Sequence, residues 1–288
     1  MGAGANATVA VCTRGTDAAL LRGCLESVFA QRPPPEDVLV VDNGGGAAAS
    51  LRGVFGPRLR VVNEPRVGAW RARNRAIADA SGEIIAFLDD DVRAEPGWLT
   101  AISAVFAEPE VLAAGGPISP VWEEPPPAWL LSSSRALGTQ GLLDLGPVRR
   151  DIDPQREFFV GGNLACRRAA VRGSRGFLPV WPCSGLGAIA DDYELSRRLA
   201  REGRAVYEPA AATRHLIARG KTRWGHVLRR AYAAEAARTC LGGRLDSSRA
   251  AAELRGAKAL VAAAVFLGHV RARLSGYRPE PPSEEPAR

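Results

Sequence analysis

Hydrophobic and polar positions in the first third of the chain alternate between two periods. Short runs rich in β-branched residues have the composition of buried strands and lie at residues 8–12, 38–42, 59–62 and 84–89. Between these runs, apolar residues such as Leu21, Leu25 and Val28 recur at helical spacing. A regular succession of strand and helix predicts an α/β fold with right-handed crossovers, a mainly parallel sheet and helices on both of its faces.

Candidate functional residues follow the predicted strands, because ligands of such sheets bind beyond the carboxyl ends of the strands. Thr13 and Arg14 follow the first strand, Asp42 ends the second, and three aspartates at 89–91 follow the fourth. Residues 12–17 lack the G-x-G-x-x-G pattern that a dinucleotide would need. A nicotinamide or flavin enzyme is therefore not favoured.

The three aspartates at residues 89–91 repel one another unless a cation or strong hydrogen-bond donors lie among them. In an extended segment, Asp89 and Asp91 point to one side and Asp90 to the other. Carboxylates on one side suit Mg²⁺ or Mn²⁺ bridging a diphosphate. The alternative is an acidic turn that solvates the start of the helix near residues 95–98.

After residue 96 the sequence pattern predicts fewer helices and strands, and they are farther apart. We expect helices at 97–107, near 191, around 224–232 and at 249–274, and a strand at 158–166. A Gly/Pro-rich passage at 115–127 ends the regular alternation, and residues 279–288 are rich in Pro and Glu and are expected to be frayed.

Each candidate residue in the second half of the chain has two interpretations. Asp191 and Asp192 begin a predicted helix, where Asp191 with Glu194 resembles a capping box, or where one aspartate could act as general base for a hydroxyl. His215 fits a metal ligand or a partly buried polar residue. Asn163, after two glycines, fits a substrate-orienting residue or a residue that satisfies a turn.

Composition and charge exclude several classes of protein. The chain is 46% hydrophobic and 24% charged, which excludes disorder, collagen and a disulfide scaffold. Five cysteines without a C-x-x-C pair predict free thiols in a reducing compartment. The sequence starts without a signal-peptide pattern, and the uncharged stretch at 259–270 is too short to span a bilayer. We therefore expect a cytoplasmic protein.

The net charge of +7 is concentrated in residues 196–278, where basic residues outnumber acidic ones. This basic tail fits a solvated helical face or peripheral contact with an anionic membrane, at its inner, cytoplasmic face. Nucleic-acid binding is the weakest alternative, because the chain has no recognised binding module.

The order and spacing of these motifs resemble family 2 glycosyltransferases of the GT-A fold. The nucleotide-sugar half of that family is matched by V-L-V-V-D-N-G at 38–44, by G-A-W-R-A-R-N at 68–74 and by I-I-A-F-L-D-D-D-V at 84–92. G-G-N-L-A at 161–165 and the acidic helix at 191–199 match its acceptor half. The resemblance covers residues 8–216 and implies a Rossmann-like GT-A domain followed by a C-terminal helical extension.

The resemblance also implies roles for individual residues. Nucleotide binding is expected of Thr13, Arg14, Asp42, Arg73, Asp89 and Asp90, and metal binding of Asp91, Asp89 and His215. Asp192 corresponds to the family's catalytic base, and Asp191 stands where the family usually has Glu, which leaves either carboxylate as the base. Asn163 is expected on the acceptor side.

The implied reaction is inverting transfer of a sugar from a nucleoside-diphosphate sugar, most often a UDP-sugar, to a hydroxyl acceptor with the help of Mg²⁺ or Mn²⁺. A polysaccharide, a lipid-linked acceptor and a small natural product all fit. A sugar nucleotidyltransferase and a non-catalytic nucleotide-sugar-binding protein are the alternatives. We expect a nucleotide-sugar-binding half at 1–120, an acceptor half at 121–216, a basic helical extension at 217–278 and a frayed tail at 279–288.

Overall fold

The predicted strands of the first third form one side of a large mixed sheet. The computed structural model describes residues 6–15, 17–179, 181–183, 187–189 and 191–241, and between 263 and 271 all residues except 265 and 269. The strands are β1 (Ala7–Thr13), β2 (Asp37–Asp42), β3 (Leu59–Asn63), β4 (Ile84–Asp89), β5 (Val92–Ala94), β6 (Val111–Gly115), β7 (Ile118–Trp122), β8 (Arg150–Asp151), β9 (Leu164–Arg167), β10 (Trp181–Cys183), β11 (Gly187–Ile189), β12 (Arg204–Tyr207) and β13 (Thr213–Ile217).

Eight strands form the large sheet in the order β3-β2-β1-β4-β9-β6-β12-β8. The strands β3, β2, β1 and β4 pair in parallel, as the sequence predicts. The strand β9 lies antiparallel between β4 and β6, and β12 pairs in parallel with β6 and antiparallel with β8. The predicted parallel part of the sheet is thus joined to a mixed part, and the insertion of β9 brings the second half of the chain beside the end of β4.

Helices cover both faces of this sheet. They are α1 (Ala18–Phe29), α2 (Arg52–Phe55), α3 (Ala69–Asp79), α4 (Trp98–Val105), α5 (Ala128–Leu131), α6 (Ser134–Gly138), α7 (Arg168–Gly173), α8 (Asp191–Glu202) and α9 (Trp224–Cys240). The side chains of Val9 and Val11 pack on one face with α1 and α4, and Ala10 packs on the other face with α3 and α8. This alternation follows from the two-residue period of a strand and confirms the prediction of a sheet covered on both faces.

The predicted strand at 158–166 is wrong in its first half. Residues 161–163 form a 3-10 turn, and the strand begins only at Leu164. Gly161 is needed for close approach, because a β-carbon there would lie 2.2 Å from Nη2 of Arg73. A β-carbon at Gly162 would lie 3.2 Å from Cγ2 of Val92 and 3.4 Å from a carboxylate oxygen of Asp89, so that position is close but less restricted. The turn thus brings the backbone directly against charged side chains at the end of β4.

A second, smaller sheet continues from the end of β4. In this sheet β13 pairs antiparallel with β5 and parallel with β7. Because the register places His215 opposite Val92, the histidine lies next to the aspartates that end β4. A 3-10 turn at 219–222 and the helix α9 then follow.

The helix α9 packs on the short helices α5 and α6. Leu130 and Ala136 contact Val227 and Ala231 in one apolar cluster, and the rings of Trp129 and Trp224 stack with centroids 3.6 Å apart. Most of the predicted helix at 249–274, and the whole tail at 279–288, lie outside the described residues. Within the part that is described, no helix is both long and apolar enough to cross a membrane.

Four of the five cysteines have free thiols in the structure. Cys12, Cys24, Cys166 and Cys240 are all unbridged. Cys24 and Cys166 are buried in the cores on the two faces of the sheet.

Candidate active site

The three aspartates at the end of β4 point in different directions as predicted, but Asp90 and Asp91 form the turn between β4 and β5 and not the extended segment that the prediction assumed. Asp89 and Asp91 line one cavity, and Asp90 turns away to accept a hydrogen bond of 2.5 Å from Oγ1 of Thr13. Burial, together with the charges of Asp91 and Asp89, raises the pKa of Asp90 to about 6. Thr13 also accepts a hydrogen bond from the Gly15 amide, so Asp90 and Thr13 fix the loop after β1 rather than line the cavity.

Asp91 is held in its ionised form by two basic side chains. Its Oδ2 lies 2.5 Å from Nζ of Lys221 and 3.2 Å from Nε2 of His215, and those two nitrogens are 3.0 Å apart. Burial alone would raise the pKa of Asp91, but the hydrogen bond and charge of His215 and the charge of Lys221 hold that pKa well below its ordinary value. The Asp91 carboxylate is therefore a place where positive charge is stabilised.

Arg73 connects the end of β4 to the start of α8. Its Nη1 donates to Oδ2 of Asp191 over 2.7 Å, and its Nη2 donates to Oδ1 of Asp89 over 3.1 Å. Burial works against the charge of Arg73, but the carboxylates of Asp191 and Asp89 keep its pKa above the ordinary value. Burial and the neighbouring Asp192 raise the pKa of Asp191, against the attraction of Arg73.

Asp192 is oriented by two backbone amides at the first turn of α8. Its Oδ2 accepts from the Gly161 amide and its Oδ1 from the Tyr193 amide, both over 2.8 Å. Each carboxylate oxygen retains a second lone pair with which it can accept a further proton donor. The capping-box alternative loses support, because Asp191 pairs with Arg73 and Glu194 pairs with Arg198.

One cavity of about 310 Å³ contains both groups of carboxylates. Asp89 and Asp91 lie on the β4 side of this cavity, and Asp191 and Asp192 lie on the α8 side. The fold thus brings together acidic groups that are about a hundred positions apart in sequence. The ion pair of Arg73 with Asp191, which spans 118 positions, connects the two groups. This shared cavity is the central observation about the site, and we refer to it as the donor cavity.

The donor cavity also contains residues that the sequence analysis missed. Lys221, His226 and Arg230 line it, and all three come from the predicted helical extension after residue 216. Burial and the charges of Arg230 and Lys221 lower the pKa of His226 to about 4, so its imidazole is neutral at neutral pH. One signal was available in the sequence: Lys221 and Lys258 are the only lysines in an arginine-rich chain.

Asp42 lies at the end of β2 and Arg14 follows β1, and neither residue lines the donor cavity. Oδ1 of Asp42 accepts hydrogen bonds from the amides of Gly44, Gly45 and Gly46, at 3.0 to 3.2 Å. A β-carbon at Gly45 would lie 1.9 Å from the Arg14 carbonyl oxygen, so the glycine loop packs directly on the loop after β1. The side chain of Arg14 is exposed. Their roles in nucleotide binding stay predictions.

Asn163 is fully buried, and its contacts are internal to the chain. Its side-chain oxygen accepts from Nε1 of Trp98 over 2.9 Å, and its amide donates to the carbonyl oxygens of Ala211 and Pro117. These bonds join the large sheet to the segment before β13. These contacts favour the alternative in which Asn163 satisfies hydrogen bonds of a turn. Contact between Asn163 and an acceptor stays a prediction, and its buried position does not support it.

A divalent cation fits the donor cavity if the diphosphate completes its coordination. Within the described ranges, no group of three or more His, Cys, Asp or Glu side chains is arranged to hold a metal. Asp91 and His215 could supply two ligands, and the ammonium of Lys221 shows that positive charge is stable beside them. Mg²⁺ in particular is often held by one or two carboxylates together with substrate phosphates.

Comparison with known proteins identifies the family. Residues 8–173 match the family described as Glycosyl transferase family 2. The chain belongs to this family. Membership of this family supports the prediction that the protein is an enzyme.

Two curated relatives are both called "Pre-mycofactocin glycosyltransferase", from Mycobacterium tuberculosis strains CDC 1551 / Oshkosh and ATCC 25618 / H37Rv. Each is 32% identical to this family 2 glycosyltransferase over 162 residues, which are 54% of this chain and 32% of the relative. The chain thus spans about a third of the length of the curated relatives that it matches.

Solved structures of glycosyltransferases share the fold. "Mannosyltransferase PcManGT from Pyrobaculum calidifontis in complex with GDP-Man and Mn2+" has a TM-score of 0.58 and 22% identity, covering 95% of this chain and 74% of that chain. "GalNAc-T7 with UDP, GalNAc and Mn2+" has a TM-score of 0.59 and 12% identity, covering 86% and 54%. The predicted GT-A fold is confirmed.

Proposed function

We propose that this family 2 glycosyltransferase moves a sugar from a nucleoside-diphosphate sugar to a hydroxyl acceptor with inversion at the anomeric carbon. The shared donor cavity carries this proposal, because it brings Asp91 and Asp192 to two sides of one space. A diphosphate needs positive charge near Asp91, and an attacking hydroxyl needs a base on the opposite side of the sugar. The 1–120 and 121–216 halves supply these two sides, and residues after 216 add Lys221.

The proposed step is a single displacement. The acceptor oxygen forms a bond to the anomeric carbon while the bond from that carbon to the diphosphate oxygen breaks. The acceptor proton passes to Asp192, and the electron pair of the broken bond leaves with the nucleoside diphosphate. Asp192 suits this role, because its two backbone amides fix its orientation and leave lone pairs available.

Asp91 and His215 would hold the divalent cation together with the diphosphate oxygens, and the cation would neutralise charge that develops on the departing diphosphate. Asp89, also predicted as a metal ligand, pairs with Arg73. Lys221 adds a second positive charge at the same place. Arg73 does not contact the diphosphate in this proposal; it positions Asp89 and Asp191 relative to each other. A UDP-sugar is our first choice of donor and a GDP-sugar the second, and the protein is proposed to act in the cytoplasm.

Product analysis tests the proposed function. We expect the protein, incubated with UDP- and GDP-sugars and Mn²⁺ or Mg²⁺, to release UDP or GDP from its preferred donor, and to lose this release in EDTA. That donor with Mn²⁺ should also raise the melting temperature by mass action. Release of pyrophosphate from a sugar phosphate and a nucleoside triphosphate would favour the nucleotidyltransferase alternative. Stabilisation without release, in the presence of acceptors, would favour the binding protein.

Lys221 is expected to compete with the cation for Asp91. In Lys221→Met, Asp91 loses its ammonium partner, so Mn²⁺ alone should bind about tenfold more tightly, as expected for loss of one charge-assisted hydrogen bond. UDP or GDP in the presence of Mn²⁺ should bind more weakly, because one positive charge beside the diphosphate is gone. Electron paramagnetic resonance of free Mn²⁺ and isothermal titration calorimetry measure the two affinities.

Arg219→Met is the matched control for this prediction, since Arg219 lies in the same 3-10 turn but is exposed and pairs with Glu124. We expect it to leave both affinities unchanged. Unchanged Mn²⁺ affinity in Lys221→Met would show that Lys221 and the cation do not share Asp91.

A further inference from the structure

A second cavity adjoins the donor cavity on the other side of Asp192. It has a volume of about 380 Å³ and lies between α8, α9 and the segment after α6. Asp192, Val160 and Gly141 line both cavities, so the two spaces meet at the proposed base. We call this second space the acceptor cavity.

The wall of the acceptor cavity is mostly carbon. Leu142, Leu143, Phe158 and Val160 form one side of it, and Ala231 and Ala234 of α9 contribute to the other. Binding of an apolar ligand against such a wall is favourable, because it removes apolar surface of both from water. It gives the hydroxyls of a sugar chain few partners, and a buried hydroxyl without a partner costs free energy.

Two of the charged side chains that line the acceptor cavity pair with each other. Glu235 accepts two hydrogen bonds from Arg238, at 2.8 and 3.1 Å, so these charges largely neutralise each other. The rings of Phe158 and Tyr193 meet edge to face with centroids 4.9 Å apart, and Arg197 stacks on Tyr193. The aromatic wall is therefore held in place by its own contacts, and Asp192 is the acidic group where this cavity meets the donor cavity.

We propose that the acceptor is a compact apolar or aromatic molecule with an alcohol or phenol, bound in the acceptor cavity with its hydroxyl directed to Asp192. This inference rests on the proposed function. The volume lies within the range typical of small-molecule sites, about 300 to 1,000 Å³. The acceptor gives its hydroxyl proton to Asp192 and receives the sugar through that oxygen, and the nucleoside diphosphate leaves on the donor side.

The proposal is tested by measuring the binding of 2-naphthol to the whole protein through the fluorescence of 2-naphthol. Ala234 is an exposed position on α9 that faces the cavity, so Ala234→Trp should fill the space with little effect on folding. We expect wild-type protein to bind 2-naphthol and Ala234→Trp to bind it at least tenfold more weakly. Ala104→Trp, at an exposed position of α4 that lines neither cavity, is the matched control and should bind like the wild type.

The transfer reaction gives a second readout with the preferred donor and Mn²⁺. We expect mass spectrometry to detect glycosylated 2-naphthol but no transfer to maltotriose or to farnesol in phosphatidylglycerol vesicles. Absence of 2-naphthol binding, equal binding by Ala234→Trp, or preferential transfer to maltotriose or vesicle-borne farnesol would each overturn the acceptor proposal. The affinity for the donor is measured in parallel. If no nucleotide sugar binds, the proposed function itself is wrong. If a nucleotide sugar binds but 2-naphthol neither binds nor is glycosylated, only the proposed acceptor class is wrong.

Discussion

Asp192→Asn is expected to reduce the turnover number by about 10²- to 10⁴-fold, which is the range for loss of a general base. The amide has nearly the shape of the carboxylate and can still accept a hydrogen bond from one backbone amide, but it cannot take the acceptor proton. Binding of the nucleotide sugar should stay close to wild type, because Asp192 belongs to α8 and bonds to the Gly161 and Tyr193 amides, not to Asp91 or its partners. Single-turnover kinetics with a saturating donor measures the chemical step directly.

Asp191→Asn distinguishes the two candidate bases. Asp191 is buried and paired with Arg73, so its substitution should lower the melting temperature, whereas Asp192→Asn should leave it nearly unchanged. If Asp192→Asn kept wild-type turnover and Asp191→Asn lost it at a temperature where it is folded, the base would be Asp191. Similar turnover for both variants and the wild type would contradict a carboxylate base on α8.

The first half of the fold could be predicted because its pattern is local. Each strand from β1 to β4 is a short run rich in apolar residues, and the residues that follow each run lie at the carboxyl edge of the sheet whatever the remaining chain does. The different directions of Asp90 and Asp91 could also be predicted, although these two residues form the turn between β4 and β5 and not an extended segment. Both features depend on neighbours in sequence.

The rest of the site depends on partners that are distant in sequence. Lys221 meets Asp91 across 130 positions, and that contact exists because β13 pairs with β5 in a register that the sequence of β13 does not reveal. The turn at 161–163 is predicted as a strand because its neighbours are apolar, whereas Gly161 is needed there because the side chain of Arg73 approaches it. Composition near each residue carries no signal for such contacts.

Asn163 illustrates the same limit from the other direction. Its position after two glycines allows a substrate contact or a turn, and sequence alone cannot separate them. In the structure the amide bonds to Trp98, Ala211 and Pro117, so the residue links three segments at the back of the site. The positions of those three partners, rather than the G-G-N motif, decide between the alternatives.

Arg73→Met is expected to lower the free energy of unfolding by about 3 to 5 kcal/mol, the range for breaking a buried ion pair by removing one partner. The reason is that Asp191 would remain buried without its cation. The loss should be smaller at pH 5 than at pH 8. Burial already raises the pKa of Asp191, and removal of Arg73 raises it further, so the folded variant takes up a proton that the unfolded chain has released and its stability falls as the pH rises.

Arg75→Met is the matched control for this prediction, because it lies on the same helix and breaks an ion pair with Asp79 that is partly exposed. Its cost should be about 0.3 to 0.5 kcal/mol. The double variant Arg73→Met/Asp191→Leu should recover much of the loss, since no buried charge is left at that position. Urea denaturation at the two pH values measures all three variants. An Arg73→Met cost no larger than that of Arg75→Met, or no recovery in the double variant, would show that Arg73 does not compensate the buried charge of Asp191.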